Sequence, residues 1–275
     1  MTDRAAEVRV KPQELLLSLG GALVLDEYED SLPTRVFLDV LGSLGVSDDA
    51  TRSVLTRLTE RGLLTRQQDG RVVSYGLTDS SRTVLREGRD RVEAVEPFHQ
   101  PSSDWTLLSF SLPETQRDLR SRLRSRLSWA GFGCLRDGLW VAPGRVDLDP
   151  IVAVGAEVEG LQIDGFVASP TPGTDVARFV RRAWDLAALR REHEAFLDRW
   201  ERPLPRDGDP VALFTLLGAH WIRLLRLDPV LPERYLGADW PAHRSARAHR
   251  AVFTSLQPRA RADFADLVRD ARSRR

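Results

Sequence analysis

The segment from Ser47 to Leu77 constrains this chain most. Ser47 stands where an N-cap belongs, and Asp48 and Asp49 follow in the first turn, where the helix dipole favours acids. The helix they open ends at Gly62. Leu63–Arg66 and Arg71–Leu77 read as two short strands. Asp69-Gly70 between them is a tight-turn dipeptide, expected to place both central residues at positive φ. Upstream, Leu15–Leu25 has helical apolar spacing. Pro33 opens a second helix carrying Val36, Phe37, Val40 and Leu41, closed by Gly42 and Gly45. Downstream, Thr78-Asp79 caps a fourth helix through Val95. Three helices, a hairpin and a helix predict a winged helix-turn-helix over residues 1–96.

On a wheel of about 100° per residue, Ala50, Val54, Leu58 and more loosely Leu55 face inward. Arg52, Ser53, Thr56 and Thr59 face outward, flanked by Arg57 and Arg61. Such side chains reach base edges and phosphates. The hairpin adds Arg66, Gln67, Gln68 and Arg71. The expected DNA contacts are Arg52, Ser53, Thr56, Arg57, Arg66 and Arg71. Residues 50–75 hold five arginines against two acids, yet residues 1–96 hold 13 basic and 17 acidic side chains, with Asp26, Glu27, Glu29 and Asp30 clustered. Any DNA face must therefore be local. The same residues also fit an ordinary solvated surface, or a winged helix that binds protein.

The chain has 275 residues, with 40 basic and 40 acidic side chains in all. That balance argues against bulk polyanion binding but not against a sequence-specific reader. Lys11 is the only lysine, and arginine suits bidentate contact to phosphate or guanine; arginine-favouring codons explain the bias as well. One cysteine, Cys134, excludes an internal disulfide framework and a cysteine zinc site. No apolar run reaches the ~18 residues of a membrane span, and no secretory signal is evident, so a cytoplasmic protein is expected.

Breaker clusters at Pro97–Ser103 and Ser169–Thr174 divide the rest. Residues 104–169 alternate as strand (Trp105–Leu112), helix (Pro113–Ala130), two strands around Asp137-Gly138, helix (Asp147–Val158) and strand (Leu161–Ala168). This βαββαβ order predicts a ferredoxin-like central domain. Residues 174–275 read as an all-helical domain, with helices over Phe214–Leu227 and Val252–Val268 among others. The expected class is α+β.

Arg117, Arg120, Arg122, Arg124 and Arg126 crowd the central helix. They fit phosphate contact, but a solvated face opposite Leu119, Leu123 and Leu127 is the favoured reading. Asp104 stands alone where a metal nuclease needs clustered carboxylates. None of the five histidines pairs with a Cys, His or acid at ligand spacing, so no metal or cofactor is expected. Cys134 reads as a small buried hydrophobe. In the last region His220, Trp221, Arg223, Arg226 and Trp240 combine flat apolar walls with donors for a thioester carbonyl or phosphates. They fit a ligand site and an ordinary core about equally.

Three strings resemble one family. ATRSVLTRLTERGLLTRQQDGRVVSYGLT (50–78), GFGCLRDGLWVAPG (131–144) and HWIRLLRLDPVLPERYLGADWP (220–241) are similar, in that order, to the winged helix, middle and C-terminal signatures of the PaaX family of bacterial transcriptional regulators. Where that family usually has Gly after the last Trp-Pro, this chain has Ala242. The resemblance implies a homodimeric, non-enzymatic repressor of a catabolic operon, bound to double-stranded operator DNA and released by an aryl- or acyl-CoA effector such as phenylacetyl-CoA. It also implies a middle domain similar in fold to small CRISPR-associated nucleases, here a scaffold and dimer surface. The rival reading is a nuclease built on that domain.

Overall fold

A computed structural model describes residues 10–113, 116–149, 151–152, 160–205 and 207–273. It is a mixed α/β structure with two small sheets. The chain divides into two compact units: one within Met1–Ala94, Asp198–Arg223 and Arg247–Arg275, the other within Val95–Leu197 and Leu224–Ala246. The helices after residue 174 are thus shared between the two units instead of closing on themselves, so spatial grouping and sequence segments differ.

In the first unit, α1 (Pro12–Leu19) starts with proline in its first turn, where the missing N–H costs nothing, and runs into a π-helical turn over Gly20–Val24. α2 (Thr34–Ser43) and α3 (Asp48–Glu60) follow, then β2 (Leu64–Asp69), β3 (Val72–Leu77) and α4 (Asp79–Glu93). A two-residue strand, β1 (Leu32–Pro33), pairs with β3 and completes a sheet of order β1-β3-β2. Thr34 Oγ1 fixes this edge by donating to the Val73 carbonyl at 2.6 Å. Both predicted caps form: Ser47 Oγ accepts from Ala50 N–H at 3.3 Å and Thr78 Oγ1 from Ser81 N–H at 3.2 Å.

The core of this unit gathers Leu15, Leu19, Val36, Leu41, Val54, Leu55, Leu58 and Tyr75. It is completed by Val211, Phe214 and Ala219 of α8 (Pro210–Leu227) and by Leu256, Ala260, Phe264 and Val268 of α9 (Ala242–Ser273). Each large side chain so buried contributes roughly 1.5–3 kcal/mol, so these distant helices are integral to the first unit. α8 is the one helix among the described residues long and apolar enough to cross a membrane, but 56% of that window is buried in the protein. α9 begins ten residues before the expected Val252 and passes through Pro258 without ending. Its first turn is secured by Ser245 N–H donating to the Pro241 carbonyl at 2.9 Å.

The second unit holds an antiparallel sheet of order β5-β6-β4-β7, built from β4 (Trp105–Ser111), β5 (Gly133–Arg136), β6 (Leu139–Pro143) and β7 (Gln162–Ala168). α5 (Arg117–Trp129) buries Leu123 and Leu127 against Leu108, Phe110, Phe132 and Trp140. The helix expected over Asp147–Val158 falls largely outside the described residues. A second cluster joins Trp105, Val141 and Leu231 to Val176 and Val180 of α6 (Val176–Ala183). α7 (Leu186–Trp200) follows α6. Gly133 is required here: a Cβ on it would lie 2.6 Å from the Trp184 ring and 2.8 Å from Ala183.

Candidate nucleic-acid interface

α3 presents two faces. Thr51, Val54, Leu55 and Leu58 are buried, and Arg52, Ser53, Thr56 and Arg57 are exposed. The buried stripe keeps Val54, Leu55 and Leu58 of the expected one and differs at its first position. Thr51 lies fully inside in place of Ala50, and Leu55 is as deep as Val54 and Leu58. Thr59, expected outside, is half-buried, with its hydroxyl donating to the Leu55 carbonyl at 2.9 Å. The outward face of Arg52, Ser53, Thr56 and Arg57 is unaffected.

The hairpin turn also differs from its expected form. Asp69 pairs with Val72 in the β2–β3 ladder, so the central turn residues are Gly70 and Arg71, not Asp69 and Gly70. Gly70 has φ 56° and is the only one of the three at positive φ, the arrangement that calls for glycine at the first central position. Arg71 therefore sits at the tip. Arg66, three strand positions behind the turn's last ladder pair, donates to Gln68 Oε1 at 3.2 Å.

Electrostatics explain how a net acidic segment carries a basic face. Asp26 is held by Arg86 at 2.7 Å and Arg89 at 2.9 Å, and the Arg86 hydrogen bond keeps its carboxyl below the ordinary range. Glu27 is held by Arg261 at 2.8 Å. Arg82 ties the same loop by donating to the carbonyls of Tyr28 and Glu29. Half of the acidic cluster is thus neutralised locally. Among the described residues Arg52, Arg57, Arg61 and Arg71 have no carboxylate partner, so their charge is available to a ligand.

The five residues expected to bind a small molecule are divided between the two units. His220, Trp221 and Arg223 belong to the first unit, Arg226 and Trp240 to the second. Trp221 is 1% exposed, stacks on His249 at 4.1 Å and donates to the Val92 carbonyl at 3.1 Å, which is a core position. His220 Nδ1 accepts from Trp200 Nε1–H at 3.1 Å. Burial pushes the His220 imidazole down to about 4, with the Arg199 and Arg223 cations adding to it. Burial likewise pushes His249 down to about 3, helped by Arg250. Both rings are neutral near neutral pH.

Trp240 does line a cavity, of about 300 Å³, with Phe98, Leu231, Leu236 and Ala242 as apolar wall and Asp228, Arg234 and His243 as polar groups. The Trp240 ring is held from outside by Arg190, 5.2 Å above it and paired with Asp239 at 3.0 Å. Sequence reading missed what lies behind this wall. His193 is fully buried, with Nε2 2.8 Å from Asp228 Oδ2 and Nδ1 3.0 Å from Ser245 Oγ. Asp228 Oδ1 accepts from Val230 N–H at 2.7 Å. Residues 193, 228 and 245 lie too far apart in sequence for any spacing rule.

Asp104, the lone acid of the rival nuclease reading, pairs with Arg145 at 3.2 Å and accepts from Ser169 Oγ at 3.2 Å. Both of its oxygens are engaged at the strand ends. Among the described residues no three His, Cys, Asp or Glu side chains converge to hold a metal.

Comparison with known proteins supplies the wider context. Residues 11–81 match the PaaX-like protein model, 99–171 the PaaX protein central Cas2-like domain, and 184–266 the PaaX-like protein C-terminal domain. The transcriptional repressor PaaX of Escherichia coli (strain K12) is 23% identical over 260 residues, covering 88% of this chain and 81% of that one. Among solved structures, the uncharacterized protein Rv0674 from Mycobacterium tuberculosis superposes with a TM-score of 0.59 at 24% identity, over 94% of this chain and all of that one, and so shares its fold. With three consecutive models covering most of its length, the chain belongs to the PaaX family.

Proposed function

We propose that the chain is a DNA-binding transcriptional repressor that reads duplex operator DNA with α3 as recognition helix and the β2–β3 hairpin as wing. One observation carries this reading: Arg52, Ser53, Thr56 and Arg57 stand exposed on one side of α3, and Arg71 stands at the hairpin tip, these arginines having no carboxylate partner among the described residues. Arginine on the outward face suits bidentate contact to guanine or phosphate, and serine and threonine reach either base or backbone. The name of the Escherichia coli relative, a transcriptional repressor, supports the same reading. A central ferredoxin-like domain and a helical C-terminal region complete the proposed architecture. A twofold dimer would set two α3 helices a helical turn, or a small multiple, apart on one DNA face.

Effector binding belongs to this proposal. The cavity beside Trp240 suits a flat apolar acyl or aryl group, with Arg234 as a donor in its lining and His243 engaged by Glu233. Ala242, where the family usually has glycine, lines it and places a methyl group in the wall. An aryl- or acyl-CoA held there would shift the population toward a state that does not fit the operator. The test is electrophoretic mobility shift with the chain's own upstream DNA. Arg52→Ala should weaken operator binding and relax specificity, by about 1–3 kcal/mol, and Arg71→Ala should weaken all duplexes evenly. Negligible effects of both would refute the assignment.

A further inference from the structure

We propose that α5 of the second unit binds the phosphate backbone of duplex DNA through Arg117, Arg122, Arg124 and Arg126, an inference resting on DNA being the ligand of this chain. All four are exposed, and among the described residues none has a carboxylate partner. Arg120, the fifth arginine of the helix, is different: it is half-buried, donates to the Leu112 carbonyl at 2.8 Å and lies 3.9 Å from Asp137.

The contrast with other helices is instructive. Arg35–Asp39, Arg89–Glu93 and Arg190–Glu194 each place an acid one turn after the arginine. α5 places arginine one turn after Arg120 and Arg122, and serine one turn after Arg117 and Arg124. Like charges at this spacing destabilise a helix by a few tenths of a kcal/mol per pair. With Asp118 as the only acid on α5, solubility alone does not account for that arrangement.

The four arginines fall in two rows. With Leu123 and Leu127 inward, Ser121, Ser125 and Ser128 occupy the middle of the outer face. Arg117 and Arg124 flank them on one side, about 10 Å apart along the axis, and Arg122 and Arg126 on the other, about 6 Å apart. Small hydroxyl side chains between two rows of guanidinium groups leave room for a sugar-phosphate strand and supply further donors. The guanidinium fork matches phosphate oxygens bidentately.

The experiment measures binding of the full chain to two duplexes, a fragment of its own upstream DNA and a 50-base-pair random sequence, across ~50–200 mM salt. Arg122→Glu/Arg126→Glu is expected to lose at least tenfold on both, and Arg122→Gln/Arg126→Gln to lower the salt slope by about 2, at roughly 0.9 per phosphate contact. Arg52→Ala is expected to lose on the upstream fragment and little on the random one. Wild-type affinity and slope in both α5 variants overturn the inference, and leave the regulator reading intact if Arg52→Ala still weakens the upstream fragment. If no duplex is selected but random-duplex binding still responds to α5, the regulator reading fails and this one stands.

Discussion

Replacing His193 with alanine should destabilise the second unit by about 4 kcal/mol. The imidazole is fully buried and bridges Asp228, 4% exposed, and Ser245, fully buried. Its removal leaves Asp228 Oδ2 without its donor, although Oδ1 keeps the Val230 N–H. A buried charged acceptor deprived of one partner costs about 2–3 kcal/mol, and the orphaned Ser245 hydroxyl about 1 more. The ring also packs edge-on against Phe98 at 5.0 Å, and the void adds roughly 1 kcal/mol. Asp228→Asn keeps the size and the Val230 contact and should cost about half as much, and Ser245→Ala about 1 kcal/mol. Urea unfolding followed by tryptophan fluorescence reads these values as midpoint shifts at constant slope. The His193→Ala/Asp228→Asn double variant should fall short of additivity by 1.5 kcal/mol or more, at roughly the coupling of direct partners. A loss under about 1 kcal/mol for His193→Ala, or full additivity, would refute the His193–Asp228–Ser245 bridge as a cohesive element.

Three further outcomes follow from other sites. Unfolded histidine titrates near 6.5, whereas His220 and His249 do so at about 4 and about 3 in the fold, so their stabilisation is complete above pH 6.5 and is lost as pH falls toward the folded values. Each costs roughly 1.4 kcal/mol per pH unit in that window, and His249→Phe should flatten the slope of stability against pH between 6.5 and 5 by about half; parallel curves would count against it. Gly133→Ala should cost about 1–3 kcal/mol through the clash with Trp184, read as a lower melting temperature with an unchanged DNA affinity at the α3 face. Trp221→Ala should cost about 3–5 kcal/mol, while Trp240→Ala should instead abolish the thermal shift given by acyl-CoA esters.

What could be read in advance was what is decided locally. Ser47 and Thr78 act within four residues of themselves, and their effects were legible. On α3, Thr51 is buried in place of Ala50 because the burial of Thr51 depends on what packs over it, not on its own hydropathy. The turn centre moved from Asp69-Gly70 to Gly70-Arg71 because ladder register, set along the whole of β2 and β3, outweighs a dipeptide preference. Trp221 and Trp240 looked alike as candidate pocket walls, yet one is a core residue and the other lines a cavity, a difference decided by His249 and Val92 on distant elements. The His193–Asp228–Ser245 bridge was invisible for the same reason: its members come from two helices and a turn.

The most direct measurement is selection of duplexes from a random DNA library by the wild-type chain and by Arg52→Ala, followed by sequencing. The account predicts that the wild type enriches one motif of two related half-sites, and that Arg52→Ala enriches the same motif with one base pair of each half-site relaxed. No enrichment by the wild type, or an identical motif in both, would contradict the assignment of α3 as the reading element.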